Sequence, residues 1–328
     1  MRAGRPGSGV DTFLLLLIAV VVLATLLPAH GAAADVLSWA TKIVIALLFL
    51  LYGARLSPQQ AWHGVRQWKL HLLVLATTFV VFPLLGLAAR VLVPSVLTDD
   101  LYTGLLFLCL VPSTVQSSIA FTSIARGHVS AAIVSASLSN IVGVLLTPLL
   151  VLLLMPLGGA PRVDGSAVGD IVLQLLAPFA LGQLLRRWLA PVVTRRAVLT
   201  KAVDRGSILL IVYAAVSVGM TEHIWSSVQP WRVVAVAAVS TLLLAVVLAV
   251  TWCTGRLARL DRGDAIVLLF CGSKKSLASG LPMALVLFPA ASVGLIMLPL
   301  MLFHQIQLFV CAVIANRLGR SAQPVSSG

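Results

Sequence analysis

Ten runs of about 20 apolar residues follow one another along the chain, beginning near residues 11, 36, 69, 101, 128, 168, 203, 231, 264 and 291. A helix of that length spans the ~30 Å hydrocarbon layer and satisfies its own backbone hydrogen bonds. Strands that cross a membrane alternate apolar and polar residues, and these runs do not. A chain that is 60% hydrophobic and 10% charged, with a mean hydropathy of +1.07, cannot be a water-soluble domain. The expected fold is an all-α polytopic membrane protein of ten transmembrane helices.

The connections test this count, because lysine and arginine collect on the cytoplasmic side of a membrane. Arg2 and Arg5, then Arg55, Arg66 and Lys69, then Arg126, then Arg186, Arg187, Arg195, Arg196, Lys201 and Arg205, then Arg256, Arg259 and Arg262, and finally Arg317 and Arg320 place 17 of the 23 basic residues in alternate connections. The other connections hold Arg90, Arg162 and Arg232 with six of the ten acidic residues. Both termini are therefore expected to be cytoplasmic, in the cell membrane. Met1 to Asp35 also has the shape of a secretory signal, but the alternation is complete with it retained as the first span. Ser57 to Trp68 is amphipathic and is expected along the cytoplasmic surface. The net charge of +13 lies in short loops without interleaved aromatics, so the expected partner is the lipid membrane and not nucleic acid. Cys109, Cys253, Cys271 and Cys311 sit inside apolar runs without C-x-x-C spacing, which indicates neither a disulfide framework nor a metal site.

Ten spans divide into two sets of five, about 11–157 and 168–316, joined around GGAPRVDG, within a single membrane domain covering 1–328. An odd number per set makes them inverted repeats. The fourth span of each set is interrupted. Leu101 to Ala125 is broken by Pro112, Ser113, Thr114, Gln116, Ser117 and Ser118; Asp264 to Phe288 is broken by Gly272, Ser273, Lys274, Lys275 and Ser276. Two interrupted segments at corresponding places are the mark of a secondary transporter's binding site, where discontinuous helices 4 and 9 cross near the midplane.

Ser113 can cap the helix that restarts after Pro112, with Gln116 completing a capping box. Each lysine at that depth costs about 3 kcal/mol and is normally kept because something uses it. No Asp or Glu lies at depth to pair with them. The two restarted half-helices and the lysines make an electropositive centre suited to an anion. Supporting polar groups are Thr77 and Thr78 on span 3, Ser135, Ser137, Ser139 and Asn140 on span 5, and His304, Gln305 and Gln307 on span 10; taken singly, such groups are more often interhelical glue. Lys42 sits near enough to the outer end of span 2 to snorkel. Without buried carboxylates, a lysine can replace a bound cation or titrate itself, so Na⁺ and H⁺ both remain open as coupling ions and no other cofactor is expected. A rival reading is an intramembrane hydrolase using Ser273 or Ser276 with Lys275 as base. Against it, adjacent helical positions point apart, no orienting group is evident, and the break in span 4 would be unexplained.

The strings VPSTVQSSIAFTSIARG (111–127), SASLSNIVGVLLTPLL (135–150), FCGSKKSLASGLPMALVLFP (270–289) and LPLMLFHQIQLFVCAVIA (298–315) resemble the bile acid:sodium symporter-like (SBF-like) family of the bile acid transporter superfamily. The resemblance implies a panel domain (spans 1, 2, 6 and 7) and a core domain (3 to 5 and 8 to 10), with spans 4 and 9 crossing where they unwind. It also implies a departure. The Ser-Asn pair and the Glu and Gln that hold sodium in better-known relatives fall on Ser118, Ile119, Ser273 and Leu277. The expected function is a secondary transporter of a small organic anion working by alternating access, with sodium coupling altered or absent.

Overall fold

The computed structural model describes residues 12–55, 67–155, 176–221 and 229–321. The first basic pair, the amphipathic segment up to residue 66, the 158–165 linker and the start of the sixth span lie outside them. Every regular element among the described residues is helical. In chain order these are α1 (Thr12–Leu26), α2 (Ala32–Arg55), α3 (Trp68–Leu92), α4 (Asp99–Leu110), α5 (Gln116–Ile124), α6 (Val129–Leu154), α7 (176–184), α8 (Arg186–Arg195), α9 (Ala197–Thr221), α10 (Pro230–Leu257), α11 (Arg262–Gly272), α12 (Leu277–Leu287) and α13 (Ala290–Arg320). Five of them, α2, α3, α6, α10 and α13, are long and apolar enough to cross a membrane.

Two pairs are short because the sequence interrupts them. Thr98 caps α4 by accepting from the Leu101 amide at 3.3 Å, with Asp99 and Asp100 in the first turn facing the positive end of the helix. The helix stops at Val111, which turns extended (φ −74°, ψ 155°) because Pro112 has no N–H and disfavours a helical residue before it. In the second pair Asp261 caps α11 through the Asp264 amide at 3.0 Å, and Ser276 caps α12 through the Ser279 amide at 3.1 Å.

A subtler irregularity lies in α3, where Thr77–Val81 form a π-helical turn and Phe82 donates to the Thr77 carbonyl. In that register the carbonyl of Thr78 should receive residue 83, which is proline and has no hydrogen to give. A carbonyl is thus left open in the middle of a membrane helix.

The packing around the broken helices is aromatic and tight. Phe82 meets Phe303 at 6.0 Å and Phe107 meets Phe288 at 5.2 Å between centroids, both edge to face. Gly104 lets α4 lie directly on α13, since a Cβ there would collide with the Ile296 carbonyl.

One end of the bundle gathers the connections that the charge pattern grouped together. Asp264 at the start of α11 receives Gln67 Nε2 from the loop before α3 (3.4 Å) and contacts His128 Nδ1 from the α5–α6 loop (2.8 Å). Arg262 donates to the carbonyls of Leu318 (2.7 Å) and Ala125 (3.4 Å), bringing the end of α13 to the same place. The hydrogen bond to Asp264 holds the His128 imidazole above its usual value against partial desolvation, with the charges of Asp261 and Asp264 adding to it.

Candidate functional site

The two interruptions meet. Between α4 and α5 the chain is irregular from Val111 to Val115, and between α11 and α12 it is irregular from Ser273 to Ser276. They touch backbone to backbone, the Ser276 amide donating to the Pro112 carbonyl at 2.8 Å.

Each break then closes the carbonyl end of the other. Ser113 Oγ donates to the Cys271 carbonyl at 2.6 Å and Ser118 Oγ to the Phe270 carbonyl at 3.1 Å, so hydroxyls of the first break satisfy the last turn of α11. In return Lys275 Nζ donates to the carbonyls of Cys109 (2.8 Å) and Val111 (2.8 Å) at the end of α4, and to the open Thr78 carbonyl of α3 (2.9 Å). Thr147 Oγ1 donates to the Leu110 carbonyl at 2.8 Å. These are the orphan groups that any helix end leaves, and lipid offers them no water.

Neighbouring helices hold the breaks in place. Asn140 on α6 donates Nδ2 to the Ser113 carbonyl (2.8 Å) and accepts from Ser279 Oγ at its Oδ1 (2.8 Å), tying the two breaks together. Ser139 Oγ accepts from the Ser113 amide at 3.1 Å. Gln307 on α13 clamps the main chain of Lys275, its Oε1 accepting from the amide at 2.9 Å and its Nε2 donating to the carbonyl at 2.8 Å. Gln307 Nε2 also lies 2.9 Å from His304 Nδ1, which must therefore accept and leaves the ring proton on Nε2.

The two lysines are equally buried and differently used. Both are 0% exposed. Lys275 has each of its three protons on a carbonyl. Lys274 Nζ has no hydrogen-bond partner and rests 3.8 Å above the centroid of Phe121, with Phe270 at 5.5 Å. Among the described residues no carboxylate pairs with either lysine nitrogen.

Several sequence expectations are corrected. Ser113 and Gln116 form no capping box: α5 begins after Val115 without a side-chain cap, Ser113 serves the other break, and Gln116 is exposed. Thr114 Oγ1 bonds locally, to Ser117 Oγ at 2.8 Å and Ser118 Oγ at 3.3 Å. The hydroxyls of Thr77 and Thr78 turn back to Leu73 and Val74, so α3 contributes the carbonyl of Thr78 and not a side chain. Ser137 and Gln305 are only partly buried and make no hydrogen bond to the crossover, while Ser135 pairs with His71 at 2.7 Å. The hydrolase reading finds no Ser-Lys pair: Ser273 Oγ donates to the Leu269 carbonyl, Ser276 Oγ caps α12, and the Lys275 protons are all committed to carbonyls. Gly272 ends α11 beside Thr251. Sequence reasoning missed Thr147, Ser279 and Phe121. Thr147 stands seven residues from Asn140, two helical turns on the same face, which is a usable signal.

The comparisons agree with one another. A model of the SBF-like CPA transporter family matches residues 11–320. The protein PA2026 of Pseudomonas aeruginosa is 51% identical over 317 residues, 96% of this chain and 95% of its own. YfeH of Escherichia coli strain K12, a candidate symporter by name, is 46% identical over 319 residues, 97% of this chain and 95% of its own. Sodium/bile acid cotransporter 7 of Danio rerio is 25% identical over 311 residues, 93% of this chain and 92% of its own.

Proposed function

The chain belongs to the SBF-like CPA transporter family, and from that premise we propose that it is a secondary transporter of a small organic anion whose cationic anchor is Lys274. One observation carries this reading: a fully buried lysine nitrogen with no hydrogen-bond partner, where the two broken helices meet. An unpaired charge in that position is costly unless a ligand of opposite sign answers it during the working cycle. The N-termini of α5 and α12 add their partial positive charge to the same region. The aromatic face of Phe121 holds the ammonium between turnovers without competing strongly for it.

The architecture we assign is ten spans in two inverted five-helix repeats, with both termini cytoplasmic and the core moving against the panel by alternating access. What supports the orientation is the meeting of the loops around Gln67, Arg126, Arg262 and Leu318 at one end. A single cysteine in place of the exposed Arg195 should react with an impermeant maleimide only after the membrane is opened; labelling from outside intact cells would overturn the ten-span orientation.

The vertebrate relatives carry sodium and bile acid in their names, and neither is transferred here at 25% identity. This crossover has an ammonium already seated on carbonyls and no carboxylate beside it among the described residues, which favours transport without a sodium requirement. In a thermal-shift screen of purified protein, an anion that binds the native state should raise the melting temperature. The same rise should appear in K⁺ as in Na⁺. An anion response that vanished when Na⁺ was replaced by K⁺ would refute the sodium independence.

A further inference from the structure

We propose that Lys275 is a covalently tethered occupant of a monovalent-cation site, lined by the carbonyls of Thr78, Cys109 and Val111, which a free cation would fill if the side chain were removed.

The three oxygens are open for separate local reasons. Thr78 is orphaned by Pro83 within the π-helical turn. Cys109 would ordinarily receive the amide of Ser113, but that amide is turned to Ser139 Oγ. Val111 is extended, so its carbonyl leaves the helix axis. None of the three openings needs Lys275 to exist. They converge so that a single nitrogen sits 2.8 to 2.9 Å from all of them, which is the geometry of a cation shell made of neutral oxygens.

The wall of the site says which cation. The Phe82 ring lies 4.1 Å from Nζ and Phe79 lies 6.0 Å away, faces that favour a weakly hydrated monovalent ion or an organic ammonium. No carboxylate among the described residues pairs with Lys275 Nζ, so nothing there would balance a divalent ion, which takes six or more oxygens. The site joins α3 to the end of α4, and the Gln307 clamp on the Lys275 main chain fixes the α11–α12 break against the same point. A cation there ties three elements together, and the lysine ensures that it never dissociates.

The test uses the purified full chain in detergent, with thermal unfolding as the readout, so it succeeds or fails independently of the transport reading. In a buffer whose only added cation is N-methylglucamine, Lys275→Ala should melt roughly 10 °C below the parent protein, since three buried carbonyls lose their donor. Propylammonium, the fragment which that substitution deletes, should restore at least half of the loss at tens of millimolar and leave the parent protein unmoved. Na⁺ or K⁺ should restore part of it, and tetramethylammonium, which has no N–H and is too large, should restore none. A folded variant whose melting temperature is flat in every cation overturns the proposal. If Lys275→Ala gives no folded protein, the comparison of Lys275→Met with Lys274→Met decides. The proposal requires at least tenfold less folded Lys275→Met, because the neighbouring ammonium caps nothing; equal yields overturn it.

Discussion

Lys274→Met should lower transport at least tenfold while the protein reaches the membrane at parental levels. Methionine keeps most of the stem and removes the amino group that rests over Phe121 and that no acceptor meets. Deleting an unpaired buried charge is neutral or stabilising for the fold, so a loss of function cannot be ascribed to misfolding. Tenfold corresponds to about 1.4 kcal/mol of lost interaction, a modest demand on a charge pair in a low-dielectric site. Uptake into proteoliposomes, normalised to folded protein by size-exclusion chromatography, measures it. If the variant transports like the parent, the orphan ammonium is a structural residue and the anion must be held by something else.

Gln307→Leu should destabilise the protein by about 3 kcal/mol, because it leaves the Lys275 amide buried and unpaired at about 1 to 3 kcal/mol and takes from the Lys275 carbonyl its short bond, leaving only His304 Nδ1 at 3.5 Å. Gln305→Leu, two residues away on a partly buried face, should stay within about 0.5 kcal/mol of the parent. Thermal unfolding of the two variants side by side is the measurement. Equal shifts would mean that the clamp contributes nothing beyond the volume it fills.

These two glutamines also mark where the sequence is legible and where it is not. The breaks could be read directly, since Pro112 stops a helix wherever it falls and two lysines in an apolar run cannot be ignored. The partners of the breaks could not. Ser113 has the local pattern of an N-cap, yet it serves a carbonyl 158 residues further on, and a window of four residues cannot contain that partner. Ser135, Ser137, Ser139 and Asn140 were indistinguishable because a helix that is apolar all round gives no phase. Hydrogen bonding then sets Ser139 and Asn140 against the first break, turns Ser135 to His71 and leaves Ser137 aside. In the sequence Thr78 stands out for its hydroxyl, while the useful atom is the carbonyl that Pro83, five residues later, leaves open. The broken elements illustrate the same limit in length: α4 and α5 have 12 and 9 residues, α11 and α12 have 11 each, and neither pair reads as one long helix once its halves are separated.

The reciprocal closure of the two breaks imposes an order on biosynthesis. The carbonyls of Cys109 and Val111 leave the ribosome 166 and 164 residues before the ammonium that completes them. At about 5 to 20 residues per second, they wait roughly 8 to 33 seconds. Throughout that interval the nascent first half carries open acceptors where hydrocarbon offers no donor, and it must be sheltered by trapped water, the insertion machinery or its own temporary contacts. The reverse pair has no such wait, for the carbonyls of Phe270 and Cys271 emerge after the hydroxyls that serve them. The second half is therefore received by a template, and the first half is not, which makes the early translation product the vulnerable one.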